Sequence, residues 1–233
     1  MSKSDRNLQI LNVVTALLLV AATGLVFLYA PRETSMGDVQ RIFYFHVPSA
    51  WVAGLAFLVT VIAGIAYLRT HERAWDVVAS SSVEIGVVFA LMNIITGAIW
   101  ARPIWNTWWT WDPRLTTATI TWLIYVAYLM LRAGIEDPDR RARFAAVYGI
   151  VGFVSVPITY FSIQMMRSIH PVLFGPANPL AKGSAPLTPA MLQTFLFCLF
   201  TFTVVYFCFL FNRIRLQRLN DRVEQLKAKL LSA

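Results

Sequence analysis

Histidines and a knot of tryptophans are the residues here best able to do chemistry. His46 stands in Phe43-Tyr44-Phe45-His46-Val47-Pro48, and His170 in Arg167-Ser168-Ile169-His170-Pro171. His71, among Arg69, Glu72 and Arg73, reads as a solvated loop residue. Five of the 8 tryptophans, Trp100, Trp105, Trp108, Trp109 and Trp111, crowd into one short stretch. Interfacial Trp belts mark helix ends generally, so a belt is the ordinary alternative, but this density exceeds it. If the stretch is helical, Trp105, Trp108, Trp109 and Asp112 follow i, i+3, i+4, i+7 and share a face. Trp111 widens the strip, and Pro103 can start the turn. Such a shelf suits a large, planar, mostly apolar ligand whose polar edge reaches water.

Neutral imidazole is a good ligand of haem iron. His46 and His170 fall in loops at the same face as the Trp cluster, so two imidazoles from opposite sides would hold iron above the shelf. A lone loop histidine is more often structural, and only the pairing invites the joint reading. Haem propionates need cations; Arg41 and Arg114 lie near, and a guanidinium fork matches a carboxylate. Each also reads as an ordinary interface arginine. Asp112 orients a Trp N–H, caps a turn or pairs with Arg114; it has no metal cluster around it. Glu84, Asn93 and Gln164 are minor polar suspects within apolar runs. Cys198 and Cys208 share one run, about 15 Å apart on a helix, too far for a bridge. There is no C-x-x-C-H.

The elements that must position these residues follow from composition. Of 233 residues, 58% are hydrophobic and 14% charged, against about 25% charged in soluble domains. That excludes a soluble enzyme, a disordered tail and a DNA-binding domain. Apolar runs at about 8–30, 47–68, 77–100, 116–131, 144–166 and 190–211 are long enough for spanning helices. The first exceeds a signal-peptide core and reads as a retained anchor. The third-loop prolines Pro171, Pro176, Pro179, Pro186 and Pro189 separate the last two runs. The net charge of +8 reads as positive-inside bias rather than nucleic-acid binding. With the N-terminus inside, the inside segments hold Lys3, Arg6, Arg69, Arg73, Arg132, Arg140, Arg141, Arg143 and every cation after 211. Only Arg32, Arg41, Arg102, Arg114, Arg167 and Lys182 fall outside.

The expected fold is therefore all-α: an integral membrane bundle of six transmembrane helices with both termini inside. It carries a Trp-rich external loop helix and a cytoplasmic amphipathic C-terminal helix. Residues 1–211 form the membrane domain and 212–233 the basic tail. In that tail Leu216, Leu219, Val223, Leu226 and Leu230 recur at coiled-coil spacing. It suits either an anionic lipid surface or a partner protein.

The stretch W-N-T-W-W-T-W-D-P-R-L-T-T at 105–117 resembles the WGxxWxWDxRLT motif of the tryptophan-rich haem-handling membrane proteins of cytochrome c maturation. With six spans and outer histidines on both sides of the motif, essentially the whole chain resembles the haem exporter protein C (CcmC) family. Asn106 stands where that family usually has Gly, and Asn tolerates left-handed backbone better than most residues. Pro113 fills a variable slot. The resemblance implies a bacterial inner-membrane protein that holds haem b as cargo at the periplasmic face and promotes its attachment to a periplasmic haem chaperone (CcmE-like). It implies as partners an ABC transporter pair (CcmA/CcmB-like) and a small membrane subunit (CcmD-like). By position, His46 and His170 would be axial ligands, Trp105, Trp108, Trp109, Trp111 and Asp112 the Trp-rich site, and Arg41 and Arg114 the propionate partners.

No nucleophile triad, phosphate loop or zinc motif is present, so the chain does not read as a conventional enzyme. A secondary transporter would need broken helices and a mid-membrane polar site, hinted at only by Asn93, Pro157 and Gln164. A b-type haem anchor subunit would need histidines at mid-depth of the spans.

Overall fold

The sharp breaks between apolar runs become helix ends. The computed structural model describes residues 3–171 and 187–231; Pro176, Pro179, Lys182 and Pro186 lie outside the described residues. Helix α1 (Lys3–Gly24) runs into a π turn at Leu25–Tyr29. A 3₁₀ turn at Asp38–Ile42 leads directly into α2 (Phe43–Thr70), which stops at His71 in the left-handed conformation (φ 57°). Helix α3 spans Arg73–Trp105. Helices α4 (Pro113–Ala133) and α5 (Pro138–Gly152) start alike. Asp112 and Asp137 accept from the backbone N–H groups of Arg114 and Arg140, and each is followed by proline at the first helical position. A side-chain oxygen satisfies a donor the helix leaves open, and proline lacks one there. A short break at Phe153–Val154 separates α5 from α6 (Ser155–Met165), and the two together form one span. Helix α7 runs unbroken over Pro189–Leu231.

Six segments among the described residues are long and apolar enough to cross a membrane. An isolated β-bridge joins Glu33 and Gly37. The architecture is thus the expected all-α, six-span bundle, with the N-terminal end of α1 and the C-terminal end of α7 on one side and the Trp-rich stretch on the other.

Two details differ from expectation. Trp105 is the last residue of α3, and 106–112 is irregular, so no separate Trp-loop helix forms. Asn106 takes the left-handed conformation (φ 54°) that ends α3. The Arg102 guanidinium seals that end by donating to the Asn106 carbonyl (2.7 Å) and Oδ1 (2.5 Å). Asp112 is extended (ψ 141°), as the residue before a proline prefers. The tail, in turn, is no separate helix: α7 passes straight through the boundary expected at 211–212.

The core joins α2, α3, α4, α5 and α7. Phe57 stacks flat on Tyr125, with ring centroids 3.6 Å apart. Ser82 donates to the Ala56 carbonyl at 2.7 Å or shares a hydrogen with the Tyr206 hydroxyl at 2.7 Å. Helix α1 is held along α7 at both ends, by Tyr29 donating to Gln193 (2.6 Å) and Asn212 donating to Asn12 (2.8 Å). Gly86 lets α2 and α3 approach: a Cβ there would sit 2.7 Å from Phe57 Cε1 and 3.0 Å from Ala56 Cβ. Since Tyr125 pins the Phe57 ring, Gly86→Ala should destabilise the bundle by about 1–3 kcal/mol. Unfolding in detergent would read this; an unchanged midpoint would mean the ring swings aside freely.

Candidate functional site: facing imidazoles over a deep apolar cavity

The first turn of α2, the last three turns of α3 and the segment after α6 meet at the Trp-rich end. His46, 9% exposed, faces His170 with ring centroids 6.5 Å apart and planes 33° from parallel. An imidazole nitrogen binds a metal at about 2 Å, so two rings on opposite sides of one ion would have centroids roughly 6 Å apart. The pair thus has the spacing for one shared metal centre.

Helix α3 sets the His46 ring. Thr96 Oγ1 gives its hydrogen to the Met92 carbonyl (2.7 Å), so it accepts from His46 Nδ1 at 3.1 Å. That puts the ring's lone pair on Nε2, the usual division for a metal-binding histidine. Asn93 Nδ2 donates to the His46 carbonyl (3.0 Å) and also stands 3.2 Å from Nδ1 and 3.3 Å from Nε2, so the amide packs against the ring as well. Gly97 makes the room, since a Cβ there would lie 3.0 Å from His46 Cε1. Trp100 meets the ring edge-on at 5.7 Å. Asn93, Thr96, Gly97 and Trp100 follow helical spacing on one face. Apart from Asn93, a minor suspect, and Trp100, counted only in the cluster, sequence reasoning missed them. The available signal was a small and polar stripe in an apolar span.

His170 is set by Asp112. Ser168 Oγ lies 3.0 and 2.9 Å from the two Asp112 oxygens, and the Ile169 N–H donates to Oδ2 at 2.9 Å. The His170 N–H then donates to Ser168 Oγ (3.0 Å). The same carboxylate caps α4, accepting from Arg114 N at 2.9 Å. His170 Nδ1 donates to the Pro171 carbonyl (3.1 Å), which again frees Nε2. Asp112 is 8% exposed, so its three donors, the Ser168 hydroxyl and the Ile169 and Arg114 amides, are what a buried carboxylate requires. Asp112→Asn turns one acceptor oxygen into a donor facing donors. The Ile169 and His170 amides should then exchange hydrogen at least tenfold faster, as hydrogen-exchange mass spectrometry would show; unchanged protection would mean that the segment is held by other contacts.

Below the imidazoles lies a cavity of about 860 Å³, within the range of small-molecule sites. Its wall descends along α2 from His46 to Leu58, about 18 Å of helix. Trp105 and Trp109 line it, as does Arg114, which donates to the Thr159 carbonyl at 2.5 Å. Trp108 and Trp111 do not line it; they are 58% and 80% exposed, and Trp111 packs edge-on to Trp109 at 5.9 Å. The Trp residues thus divide between cavity and surface instead of sharing one face. Arg41 is turned away: it donates to the Val26 carbonyl, pairs with Asp38 (3.3 Å) and sits over the Phe27 ring. Gln164 lines the cavity, whereas Glu84 lies at the opposite end, paired with Arg213.

Burial, reinforced by the Arg114 guanidinium, pulls the His170 pKa down to about 4. The native state therefore keeps this imidazole neutral as pH falls through its ordinary value, and the unfolded chain takes up the proton first. Its contribution to stability is present at neutral pH and fades between about 6.5 and 4. In metal-free protein, histidine-labelled NMR should place the His170 midpoint near 4; a midpoint at about 6.5 would show a solvent-open ring.

A six-span helical bundle with a large, mostly apolar cavity, lined at the Trp-rich end by two neighbouring imidazoles, defines a class of polytopic membrane proteins with an apolar pocket among their spans. Comparison with known proteins narrows this class. The family model described as "Heme exporter protein C" matches residues 1–229, and the chain belongs to that family. It is 32% identical to heme exporter protein C of Bradyrhizobium diazoefficiens over 85% of this chain and 74% of that one. It is 29% identical to that of Haemophilus influenzae over 92% and 87%. A ccmC-like mitochondrial protein of cytochrome c biosynthesis from Marchantia polymorpha is 30% identical, over 60% of this chain and 59% of its own.

Proposed function

We propose that this protein binds haem b as cargo between His46 and His170 and presents it to a periplasmic haem chaperone for attachment during c-type cytochrome biogenesis. The observation that carries the reading is the 6.5 Å separation of two imidazoles at the mouth of the cavity. Family membership supports it, through the heme exporter name of the relatives and the cytochrome c biosynthesis of the Marchantia one. In this reading both Nε2 atoms ligate iron, Trp105 and Trp109 pack on the macrocycle, and Arg114 takes a propionate. Exposed Trp108 and Trp111, standing outside the cavity, offer the surface on which the chaperone meets the cargo edge. Arg41 acts at a distance, by bracing the turn from which His46 projects.

The inner membrane is the proposed location, with both termini cytoplasmic by the positive-inside bias and the cavity mouth periplasmic. An ABC transporter pair and a small membrane subunit are the proposed partners. The protein's own contribution is to bind, orient and release, without a catalytic group of its own. Asn93, the best candidate for a transporter's mid-membrane substrate site, is instead bonded to His46.

Absorption spectra of detergent-purified protein with haem test this reading. Wild type should show a low-spin bis-imidazole band. His46→Ala and His170→Ala should each shift it and weaken retention about tenfold or more, as loss of one ligand demands. The double variant should retain none; full retention there would overturn the site.

A further inference from the structure

The end of the bundle opposite the cavity holds a second cleft that the proposed function leaves unused. It has a volume of about 240 Å³ and is walled by Arg73, Ser80, Glu84, Arg132, Arg141 and Gln217, with Asp76, Val77 and Ala133 completing it. Its carboxylates are matched. Asp76 takes both Nη groups of Arg132 (2.5 and 2.9 Å), and Glu84 takes the Nε and Nη2 of Arg213. Two guanidiniums remain. Arg73 has a single 3.3 Å contact to Asp221, an oxygen also used by Gln217 at 3.2 Å. Arg141, half-buried in the first turn of α5, has no carboxylate partner among the described residues.

The cleft therefore carries surplus positive charge, with forked N–H donors on two walls, Arg141 facing no carboxylate among the described residues and Arg73 only partly satisfied by Asp221. Such forks match a tetrahedral phosphoryl oxyanion. Arg73 opens α3, Arg132 lies in the last turn of α4 and Arg141 in the first turn of α5. All three sit where spans end, at the depth of lipid headgroups. The cleft, of about 240 Å³, has room for a phosphodiester group and opens to the outside. Val77 and Ala133 add an apolar edge to the cleft. The geometry points to a phosphoryl-anion site, occupied by the headgroup of an anionic phospholipid and clamped by Arg73 and Arg141. Basic pockets between spans at a membrane surface bind lipids of this kind. The site is independent of what His46 and His170 hold.

Native mass spectrometry of the full chain released from nanodiscs tests it. Discs of phosphatidylcholine with cardiolipin or phosphatidylglycerol are compared with phosphatidylcholine alone. Wild type should carry bound anionic lipid, and Arg141→Gln, which breaks no ion pair, should carry about tenfold less. Equal unfolding midpoints in phosphatidylcholine discs would establish that the variant is folded. A second arm adds inorganic phosphate in detergent: stabilisation of wild type but not the variant, without lipid retention, would assign the site to free phosphate. Equal lipid retention and equal phosphate response in both proteins would overturn the proposal and leave Arg141 as a solvated helix-end charge.

Discussion

A carboxylate buried at the rim of a membrane bundle must be surrounded by donors, because neither lipid nor apolar side chains can replace water around it. Asp112 meets this demand by recruiting from two places far apart in the chain: the N-terminus of α4 beside it and the Ser168–Ile169 segment beyond α6. Solving one electrostatic problem thereby positions His170 opposite His46. The Trp-rich stretch ends in this aspartate, so its course from Asn106 to Pro113 is bounded by a left-handed turn at one end and a capped helix at the other. The cavity mouth inherits its shape from those two fixed points.

The two imidazoles are held by different means. His46 is gripped side chain to side chain by α3, through Thr96, with Gly97 leaving space. His170 is positioned through its backbone, by a segment tied to Asp112. One imidazole thus sits on a rigid helical scaffold and the other on a short strap. The pair has a firm side and a yielding side, the division the proposed hand-over of cargo would call for.

Much of this was readable from residue types. Six apolar runs with charged or proline-rich breaks could only be spans, and their number returned both ends of the chain to one side. The outer histidines converged as the shared-face argument required, and Asn106 adopts the left-handed backbone its type allows. The Trp helix was not readable correctly. Helical spacing of Trp105, Trp108, Trp109 and Asp112 is a statement about side chains, whereas the path was decided by the Arg102–Asn106 closure and by Pro113. Arg41 shows a second limit, because nearness in sequence to His46 says nothing of which way a long side chain turns. Asp38 and the Val26 carbonyl offered it closer acceptors. The α3 stripe around Asn93 needed knowledge of which helix α2 faces, and that is a property of packing.

The chain order of the two histidines has a temporal consequence. His46 enters the bilayer at the start of the second span, and His170 arrives only after the fifth. A membrane protein emerges from synthesis from its N-terminus onward, so a nascent chain carries His46 without its partner ring through most of its insertion. The aspartate that must hold the second ring is also in place before its partners exist. The two rings therefore come together late, once α6 and the segment after it are in place, and the cavity lacks one wall until then.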